Sequence, residues 1–416
     1  MRKWNSTRQL SNNYLIIHIF ADRNILPVCF VFNMRKILFA SFLTVAVSAL
    51  IGCNQKTGEV PVIPVEDSDA KNFLDVMADK RTYIFLDDKS IDATVALIDK
   101  VMIDDGKLFI SHRTGTGLYD ENEYISVFDM EGRLINKISR IGRARDEYVS
   151  LISWCLDTDR KQVIINDAFN SLKRFSYDGK YVSSLPLGEY DIWNILYVNG
   201  HIYGGMLMPN DKADDIIEIK DDGSFIPLLP FRGLYDESNF TGGIGSAQQH
   251  VAKNLKEFYH LRLFDNILYR IDGAKADTCK MFDFIKSVQG KAVIFLSPEM
   301  QSNRPSSTIE TSKYFIFEAY KMDDEFAISS FLFYVYDKST GKCTRYSPES
   351  DKDFSNIISR FQIVGADEDV IITTATPKGA RYILENAADK VPESDLEMLK
   401  ILATRDNDAI ILHHLK

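Results

Sequence analysis

The sequence lacks the short motifs that mark the common catalytic sites. It contains no Gly-x-Ser-x-Gly elbow, no His-Glu-x-x-His helix, no Cys-x-x-Cys pair and no phosphate-cradling P-loop. Cysteine itself is scarce, with five residues so far apart that neither a zinc site nor a disulfide framework is indicated. These absences argue against the enzyme classes that such motifs define, and they favour a binding protein over a catalyst.

Long hydrophobic segments are also rare, and the clearest example lies near the start. Residues 37–51 form an uncharged, mostly apolar run of 15 residues, shorter than the roughly 20 that a transmembrane helix needs. Arg35 and Lys36 precede this run, and Gly52 followed by Cys53 ends it. This order resembles the signal of bacterial lipoproteins. The resemblance implies cleavage before Cys53 and fatty acyl groups such as palmitate on its thiol; a cleaved signal with a coincidental cysteine is the alternative.

This interpretation divides the start of the chain into three parts. Residues 1–33 fit no part of a signal peptide and indicate a start codon assigned too far upstream; residues 34–52 are the signal, and residues 53–80 are a polar, flexible tether. Removal of the first 52 residues, which hold six basic residues and one acid, changes the net charge from −10 to −15. Such an acidic surface repels phosphate backbones, so we expect no nucleic-acid partner.

From residue 81 onward, short apolar or alternating runs are separated by turn signals, which is the pattern of an all-β fold. Five segments repeat one layout of two strands, a glycine-containing turn and a further strand. The turn glycines lie at intervals of 47, 44, 50 and 68 residues. This period predicts a β-propeller, in which the first strand of each unit lines the channel and the glycine hairpin forms the outer edge. The glycines are Gly132, Gly179, Gly223, Gly273 and Gly341.

The end of the chain predicts how the propeller closes. Residues 361–384 begin a sixth unit, which a short helix interrupts before the final strand. The helix is predicted after Pro392, where Ser394 and Glu397 have the spacing of a capping box. A propeller has free strand edges unless its ends meet. We therefore expect the strand at 82–87 to complete the blade that contains the final strand.

The predicted domain is an all-β, six-bladed β-propeller over residues 81–416, with a short C-terminal helix before the closing strand. Two irregular stretches interrupt its repeat. Residues 239–258 begin with glycines and then predict a short helix, whereas residues 286–310 are rich in Ser, Pro and Asn, as in a loop-like insertion. The insertion accounts for the long last interval between turn glycines. A seventh blade is the alternative if the insertion contains one.

Three stretches resemble the six-bladed β-propeller lipoproteins of Bacteroides-type bacteria, whose shape is similar to that of NHL-repeat propellers. Residues 141–182 are similar to the family's Gly-x-Gly-Pro-Gly-Glu-Tyr loop and the hairpin after it, and residues 264–272 and 405–416 carry the remaining likeness. The resemblance implies an envelope location, a propeller fold and a context of glycan handling. The loop matches the family at Gly142, Glu147 and Tyr148 and departs from it at Ala144, Arg145 and Asp146.

The densest polar cluster lies on this loop, which is predicted to connect the first and second blades. Function in propellers commonly lies on such loops, because the blades hold them rigidly. Arginine and tyrosine together bind a carboxylate or stack on a sugar ring, so the cluster is our candidate binding site. A structural latch between the two blades is the alternative. The candidate residues are Arg140, Arg143, Arg145, Glu147 and Tyr148.

Metal ligands are less clearly indicated, and no cofactor is predicted. His112 and His201 lie in or beside first strands of their units, but no third ligand is evident near them. His413 and His414 are adjacent on a strand, so they face opposite sides and cannot hold one ion together. A calcium ion among channel-facing aspartates is an alternative to turn and capping roles for four Asp-Asp pairs. These pairs begin at Asp87, Asp104, Asp221 and Asp323.

The function predicted from these features is that of a binding or scaffolding propeller. It would be held at the outer membrane by lipid on Cys53 and would face the periplasm or the cell surface. Its partner would be a glycan, a peptide or an envelope protein, and glycan uptake is the process that it would serve. The alternative is a metal-dependent propeller lyase or hydrolase with an axial calcium or zinc ion.

Overall fold

The chain was examined as a computed structural model, and its described residues fall in two units, Met1–Glu59 and Val60–Lys416. The first unit contains one antiparallel sheet, formed by β1 (Gln9–Ser11), β2 (Tyr14–Ile16) and β3 (Phe32–Asn33). In the second unit the structure describes residues 61–70, 73–95, 97–113, 123–188, 190, 192–206, 216–229, 248–261, 267–282, 304–322, 328–346 and 363–416. No helix among the described residues is long and apolar enough to cross a membrane. The predicted signal and Cys53 lie outside the described residues.

Three sheets of the second unit are four-stranded antiparallel meanders, in which the order across the sheet follows the order along the chain. The first contains β7 (Ile98–Asp104), β8 (Lys107–Arg113), β9 (Glu123–Asp129) and β10 (Leu134–Ile138). The second contains β11 (Leu151–Asp157), β12 (Gln162–Asp167), β13 (Ser171–Ser176) and β14 (Tyr181–Pro186). The third contains β15 (Ile192–Val198), β16 (His201–Met206), β17 (Ile216–Ile219) and β18 (Phe225–Leu229).

Two further four-stranded sheets recruit strands from the start of the second unit. One contains β20 (Phe258–Leu261), β21 (Ile267–Asp272), β22 (Lys275–Phe282) and β4 (Val62–Ile63). The other contains β27 (Ile363–Asp367), β28 (Val370–Ala375), β29 (Ala409–Leu415) and β6 (Ala78–Phe85). Strand β29 pairs with β6 in antiparallel register from Ala409↔Phe85 to Leu415↔Ala78. The predicted pairing of the strand at 82–87 with the final strand is therefore confirmed.

The remaining sheet has six strands and mixed pairing. Its four central strands form an antiparallel meander, whereas the strand at each edge runs parallel to its neighbour. In order across the sheet, the strands are β19 (Gln248–Val251), β23 (Arg304–Glu310), β24 (Tyr314–Met322), β25 (Ile328–Asp337), β26 (Cys343–Tyr346) and β5 (Val65–Asp67).

These sheets form the predicted all-β propeller, but the prediction of six blades is wrong. The described residues form five four-stranded blades, and the six-stranded sheet is not a further copy of them. By its place in the repeat, β19 is expected to begin the blade that holds β20, yet it pairs with β23 instead. Spacing between turn glycines counts repeats along the chain, but it does not determine which neighbour a four-residue strand pairs with. The described residues contain no seventh blade either.

The two irregular stretches are partly strands. Residues 248–251, within the predicted helix at 239–258, form β19, so that prediction is wrong for the described part. Residues 304–310, at the end of the predicted insertion, form β23. The first correction has a clear physical cause: β19 is short and polar and gains its hydrogen bonds from the distant strand β23, a partner that local sequence does not reveal. Strand β23 also forms an antiparallel hairpin with β24, the next strand along the chain.

The C-terminal helix before the closing strand is confirmed, and a second helix precedes it. Helix α2 (Pro377–Asn386) follows β28, and the Thr376 hydroxyl caps it by accepting from the Gly379 amide at 3.0 Å. Helix α3 (Glu393–Leu402) begins directly after Pro392, and no side chain caps it. The predicted capping box is therefore not formed, because the helix starts before Ser394.

Most of the predicted tether belongs to the folded unit. Residues 61–80 supply strands β4 and β5, the short helix α1 (Phe73–Met77) and the start of β6. Helix α1 buries Phe73, Leu74 and Met77 against the six-stranded and closing sheets. Because these apolar side chains are removed from water, the segment is fixed by burial rather than flexible.

The predicted positive φ of the five turn glycines is confirmed, but the predicted outer-edge position holds for three hairpins only, because β4 and β5 lie outside the hairpins of Gly273 and Gly341. Each lies in the hairpin between the last two strands of its meander, and φ ranges from 53° to 83°. Gly132 has a second reason to be glycine, because a Cβ there would overlap the carbonyl oxygen of Phe85 in the closing strand β6. Its own carbonyl accepts from the Asp87 amide at 2.8 Å. The first blade thus contacts the closing blade without an intervening side chain.

Gly132→Ala is expected to destabilise the protein more than Gly273→Ala does. Both residues have positive φ, which costs an alanine about 1 kcal/mol. Only Gly132 would add a clash with backbone, since a Cβ at Gly273 meets no atom within 4 Å. Urea denaturation should show about 1 kcal/mol lost for Gly273→Ala and at least about 2 kcal/mol more for Gly132→Ala. Equal losses would contradict the close approach of the two blades.

Candidate functional site

A cavity of about 340 Å³ opens where the first strands of three consecutive blades begin. The first residues of β7, β11 and β15 form its walls, together with the end of β8 and the start of β9. Strand ends at one face of a rigid scaffold are a common location for ligands. The side chains used below are Asp99, Lys100, Arg113, Glu123, Trp154, Trp193 and Asn194.

One wall of the cavity carries an arginine between two carboxylates. The Arg113 Nε lies 3.1 Å from Asp99 Oδ2 and 3.1 Å from Glu123 Oε1. Burial raises the pKa of Asp99, and the Arg113 guanidinium opposes that shift. The arrangement holds two sets of acceptor oxygens and a planar donor in fixed positions, as recognition of a polyhydroxylated ligand requires.

The opposite wall is aromatic. Trp193, near the start of β15, is 44% exposed, whereas Trp154 on β11 is buried and only 1% exposed. The buried Trp154 indole N–H has no hydrogen-bond partner. Asn194 follows Trp193 on the strand. It is buried, with 6% of its surface exposed, and it lines the cavity. The exposed Trp193 ring therefore lines the same cavity as a buried donor, the Trp154 indole N–H, and the buried Asn194 carboxamide, which can both donate and accept.

Lys100 is the unusual residue of the cavity. The residue is buried, with 6% of its surface exposed, and its Nζ donates to the Trp154 carbonyl oxygen at 2.8 Å. Nζ also lies 5.5 Å from the centre of the Trp154 ring, which permits a cation–π contact. Burial lowers the pKa of Lys100 to about 8. The ammonium is thus charged at neutral pH but poorly compensated.

Glu147 and Tyr148, from the predicted binding loop, are turned into the protein. The buried Tyr148 hydroxyl donates to the carbonyl oxygens of Glu123 at 2.8 Å and Ile138 at 3.1 Å. The Glu147 carboxylate accepts from the Ala144 amide at 2.8 Å. The Tyr148 contacts join the loop to the strand that carries Glu123 and support the structural-latch alternative for Tyr148, whereas the Glu147 contact lies within the loop.

The three arginines of the loop are exposed and lie apart from the ion pairs of the cavity. Arg140 pairs with Asp146. The Arg143 guanidinium lies 6.0 Å from the centre of the exposed Phe169 ring, and the Arg145 carbonyl accepts from a neighbouring lysine at 3.1 Å. Ser150, at the end of the same loop, lines the cavity. The structure therefore places the predicted residues beside the cavity rather than in it.

No group of three or more His, Cys, Asp or Glu side chains among the described residues is arranged to hold a metal ion. His112 is buried and bonds Ser126, and His201 in another blade bonds Glu218 at 2.6 Å. His413 and His414 bond different strands, through Thr373 and Thr82. The described aspartate pairs bond turns, lysines, arginines and a tyrosine; the pair at Asp323 lies outside the described residues.

The sequence motifs overlooked the cavity because its residues are scattered along the chain. One usable signal was Lys100, a charged residue in a mostly buried first strand, IDKVMID. A second signal was Trp193, one of only three tryptophans in the chain. Neither signal indicates the cavity without the three-dimensional arrangement of the first three blades.

The family described as "Domain of unknown function (DUF4934)" matches residues 60–414. The chain belongs to the DUF4934 family. The matched region coincides with the second unit, so the domain that defines DUF4934 is the propeller itself. No curated protein matches the chain.

Several solved structures are similar to this chain. A Bacteroides fragilis protein that is named for its inferred export superposes with a TM-score of 0.64 at 16% identity, over 85% of this chain and 99% of that one. Weaker similarity is found to the WD40 propeller domain of Doa1 (TM-score 0.32, 11% identity, 64% of this chain and 71% of that one). It is also found to BamB from Moraxella catarrhalis (TM-score 0.34, 11% identity, 64% and 63%).

The stability of the Lys100→Met variant relative to the wild-type protein is expected to depend on pH. The folded-state pKa of Lys100 is about 8, below its ordinary value of 10.5. The buried charge therefore destabilises the fold below pH 8, and this penalty is relieved as the pH rises toward 10.5. Cys155 beside it has a pKa raised to about 12, so its thiol stays protonated over most of this range.

Urea denaturation of both proteins at pH 7, 8, 9 and 10 measures the effect. We expect Lys100→Met to be at least as stable as wild type at pH 7, because it removes an uncompensated buried charge. The wild type should then gain about 2 kcal/mol on the variant between pH 8 and pH 10. A difference that stays constant over this range would contradict a depressed pKa for Lys100.

Proposed function

We propose that this protein is an exported, lipid-anchored binding propeller that holds a saccharide in the cavity described above. The observation that carries the proposal is the combination of an exposed Trp193 face with the Asp99–Arg113–Glu123 group across the same cavity. A sugar ring has apolar C–H faces and a rim of hydroxyls. It therefore needs an aromatic surface and fixed donors and acceptors together, which this cavity offers.

The polar groups suit hydroxyls better than they suit a peptide strand. Carboxylates accept from hydroxyls, the Arg113 guanidinium donates, and the Asn194 carboxamide does both. The cavity volume of about 340 Å³ is at the small end of the range for ligand sites and accommodates one or two sugar rings.

Export and anchoring are supported by features outside the cavity. The basic and apolar segments before Cys53 have the order of a lipoprotein signal, and the similar Bacteroides fragilis protein is named for its inferred export. A surface or periplasmic lipoprotein with a sugar-sized cavity is suited to capture of glycans during their uptake.

Saccharide binding can be followed by fluorescence, because Trp154 and Trp193 are two of the chain's three tryptophans. The purified full chain should bind members of an oligosaccharide array, and those members should change its tryptophan emission. Trp193→Ala should weaken binding at least about tenfold, the loss of about 1.4 kcal/mol expected for removal of a stacked ring. Ile135→Ala, which removes a similarly exposed apolar side chain far along the first blade, is the control.

Equal binding by Trp193→Ala and by Ile135→Ala would remove the cavity from consideration. Failure of the wild type to bind any saccharide on the array would overturn the proposed function itself.

Anchoring is tested by Cys53→Ser expressed in a bacterium that processes lipoproteins. Wild-type protein should incorporate radiolabelled palmitate and sediment with membranes, because several acyl chains make attachment effectively permanent. The variant should lose the label and appear in the soluble envelope fraction. Unchanged labelling and sedimentation in Cys53→Ser would show that Cys53 is not the anchor.

A further inference from the structure

The geometry points to an acidic saccharide as the ligand: we infer that its carboxylate pairs with the Lys100 ammonium inside the cavity. This inference rests on the proposed function and narrows it to one ligand class. The observation behind it is that the buried Lys100 ammonium has no carboxylate at ion-pair distance among the described residues.

Lys100 and Arg174 are the two basic residues among the described side chains that are almost completely buried, at 6% and 7% exposure. Arg174 is compensated by Asp157 at 2.9 Å and Asp221 at 3.0 Å. Lys100 has no carboxylate at ion-pair distance among the described residues and bonds only the Trp154 carbonyl. A buried ammonium without a counter-ion costs several kcal/mol, so a bound anion would remove a penalty that the free protein carries.

The carboxylates of the cavity do not supply that counter-ion. Asp99 and Glu123 both lie at 3.1 Å from the Arg113 guanidinium, and neither lies at ion-pair distance from the Lys100 ammonium. The other neighbours of Lys100 are not anions at neutral pH. Burial raises the pKa of the Cys155 thiol, and burial lowers the pKa of the His250 imidazole with a further contribution from the charge of Lys100.

The number of free donors favours a carboxylate over a phosphate. An ammonium has three N–H donors, and Lys100 uses one on the Trp154 carbonyl at 2.8 Å, so two remain for a carboxylate. A doubly charged phosphate would need more donors and would also lie near the Asp99 and Glu123 carboxylates. The buried, unpartnered indole N–H of Trp154 provides a further donor beside the ammonium.

The aromatic wall fixes where the rest of such a ligand would lie. Trp193 is exposed on the cavity surface, whereas Lys100 is deep in the wall. A sugar ring stacked on Trp193 can therefore direct an acidic substituent inward to Lys100, while its hydroxyls meet the Asp99–Arg113–Glu123 group. Hexuronates, whose C6 is a carboxylate, are sugars with such an acidic substituent on the ring.

The experiment compares matched oligosaccharides that differ only at C6, a uronate against its neutral hexose counterpart, by calorimetric titration of the full chain at pH 7. Wild type should bind the uronate at least about tenfold more tightly than the neutral hexose. Addition of 0.5 M NaCl should weaken only the binding of the uronate. Lys100→Met should abolish that preference, so that the ratio of the two affinities falls to about one. Lys100→Gln, which keeps a donor for the Trp154 carbonyl without the charge, is the second variant and should behave in the same way.

The outcomes separate the two claims. Equal affinity for both sugars in wild type, with no effect of either Lys100 variant, overturns the acidic ligand and leaves the saccharide-binding function in place. Binding of neither sugar by wild type, together with no binding on the oligosaccharide array, overturns both. A Lys100→Gln variant that keeps the uronate preference shows that Lys100 serves only to bond the Trp154 carbonyl, which also contradicts the inference.

Discussion

The pairing of β6 with β29 is the constraint on which the rest of the propeller depends. It joins a strand near the start of the folded unit to the last strand of the chain, in continuous register from Ala409 to His414 and with a shift at Leu415. Arg81 and Tyr83 on β6 bond Asp395 at the start of α3, and the Lys416 amide donates to the Met77 carbonyl at 2.9 Å. The pairing completes the blade that contains β27 and β28 and joins the two ends of the folded unit.

The geometry of the cavity depends on contacts between blades. Its walls come from three blades, so no single sheet contains a complete site. The close contact of Gly132 with the backbone of Phe85 fixes the first blade against the closing blade. The Tyr148 hydroxyl then fixes the loop between the first and second blades to Glu123. The positions of Lys100 and Trp193 are therefore consequences of packing far from the cavity.

The parts of the fold that the sequence predicts are those with a local physical cause. Glycine at positive φ marks the outer hairpins, and apolar alternation marks the strands, so both could be recognised along the chain. The blade count failed because both edges of the meander β23–β26 gain an extra parallel strand, β19 and β5, from distant parts of the chain. Strands β4 and β5 were missed for the same reason, since each is short and is stabilised by the edge of a distant sheet.

The candidate site shows the same limit. The loop from Arg140 to Tyr148 attracted attention because its charges are adjacent in sequence, yet Tyr148 is an anchor and the arginines point to solvent. The cavity combines residues from positions near 100, 154 and 193, which only the meander topology brings together. A lysine in a buried strand is a local conflict between burial and charge, and such conflicts are expected where a protein binds something.

A crystal structure of the full chain grown with a uronate-containing oligosaccharide tests this account most directly. The account predicts a sugar ring stacked on Trp193, with a carboxylate oxygen about 2.8 Å from Lys100 Nζ, the distance of a charge-assisted hydrogen bond. A saccharide bound elsewhere, for example over the exposed Arg143–Phe169 pair, while the cavity contains only water, would contradict it.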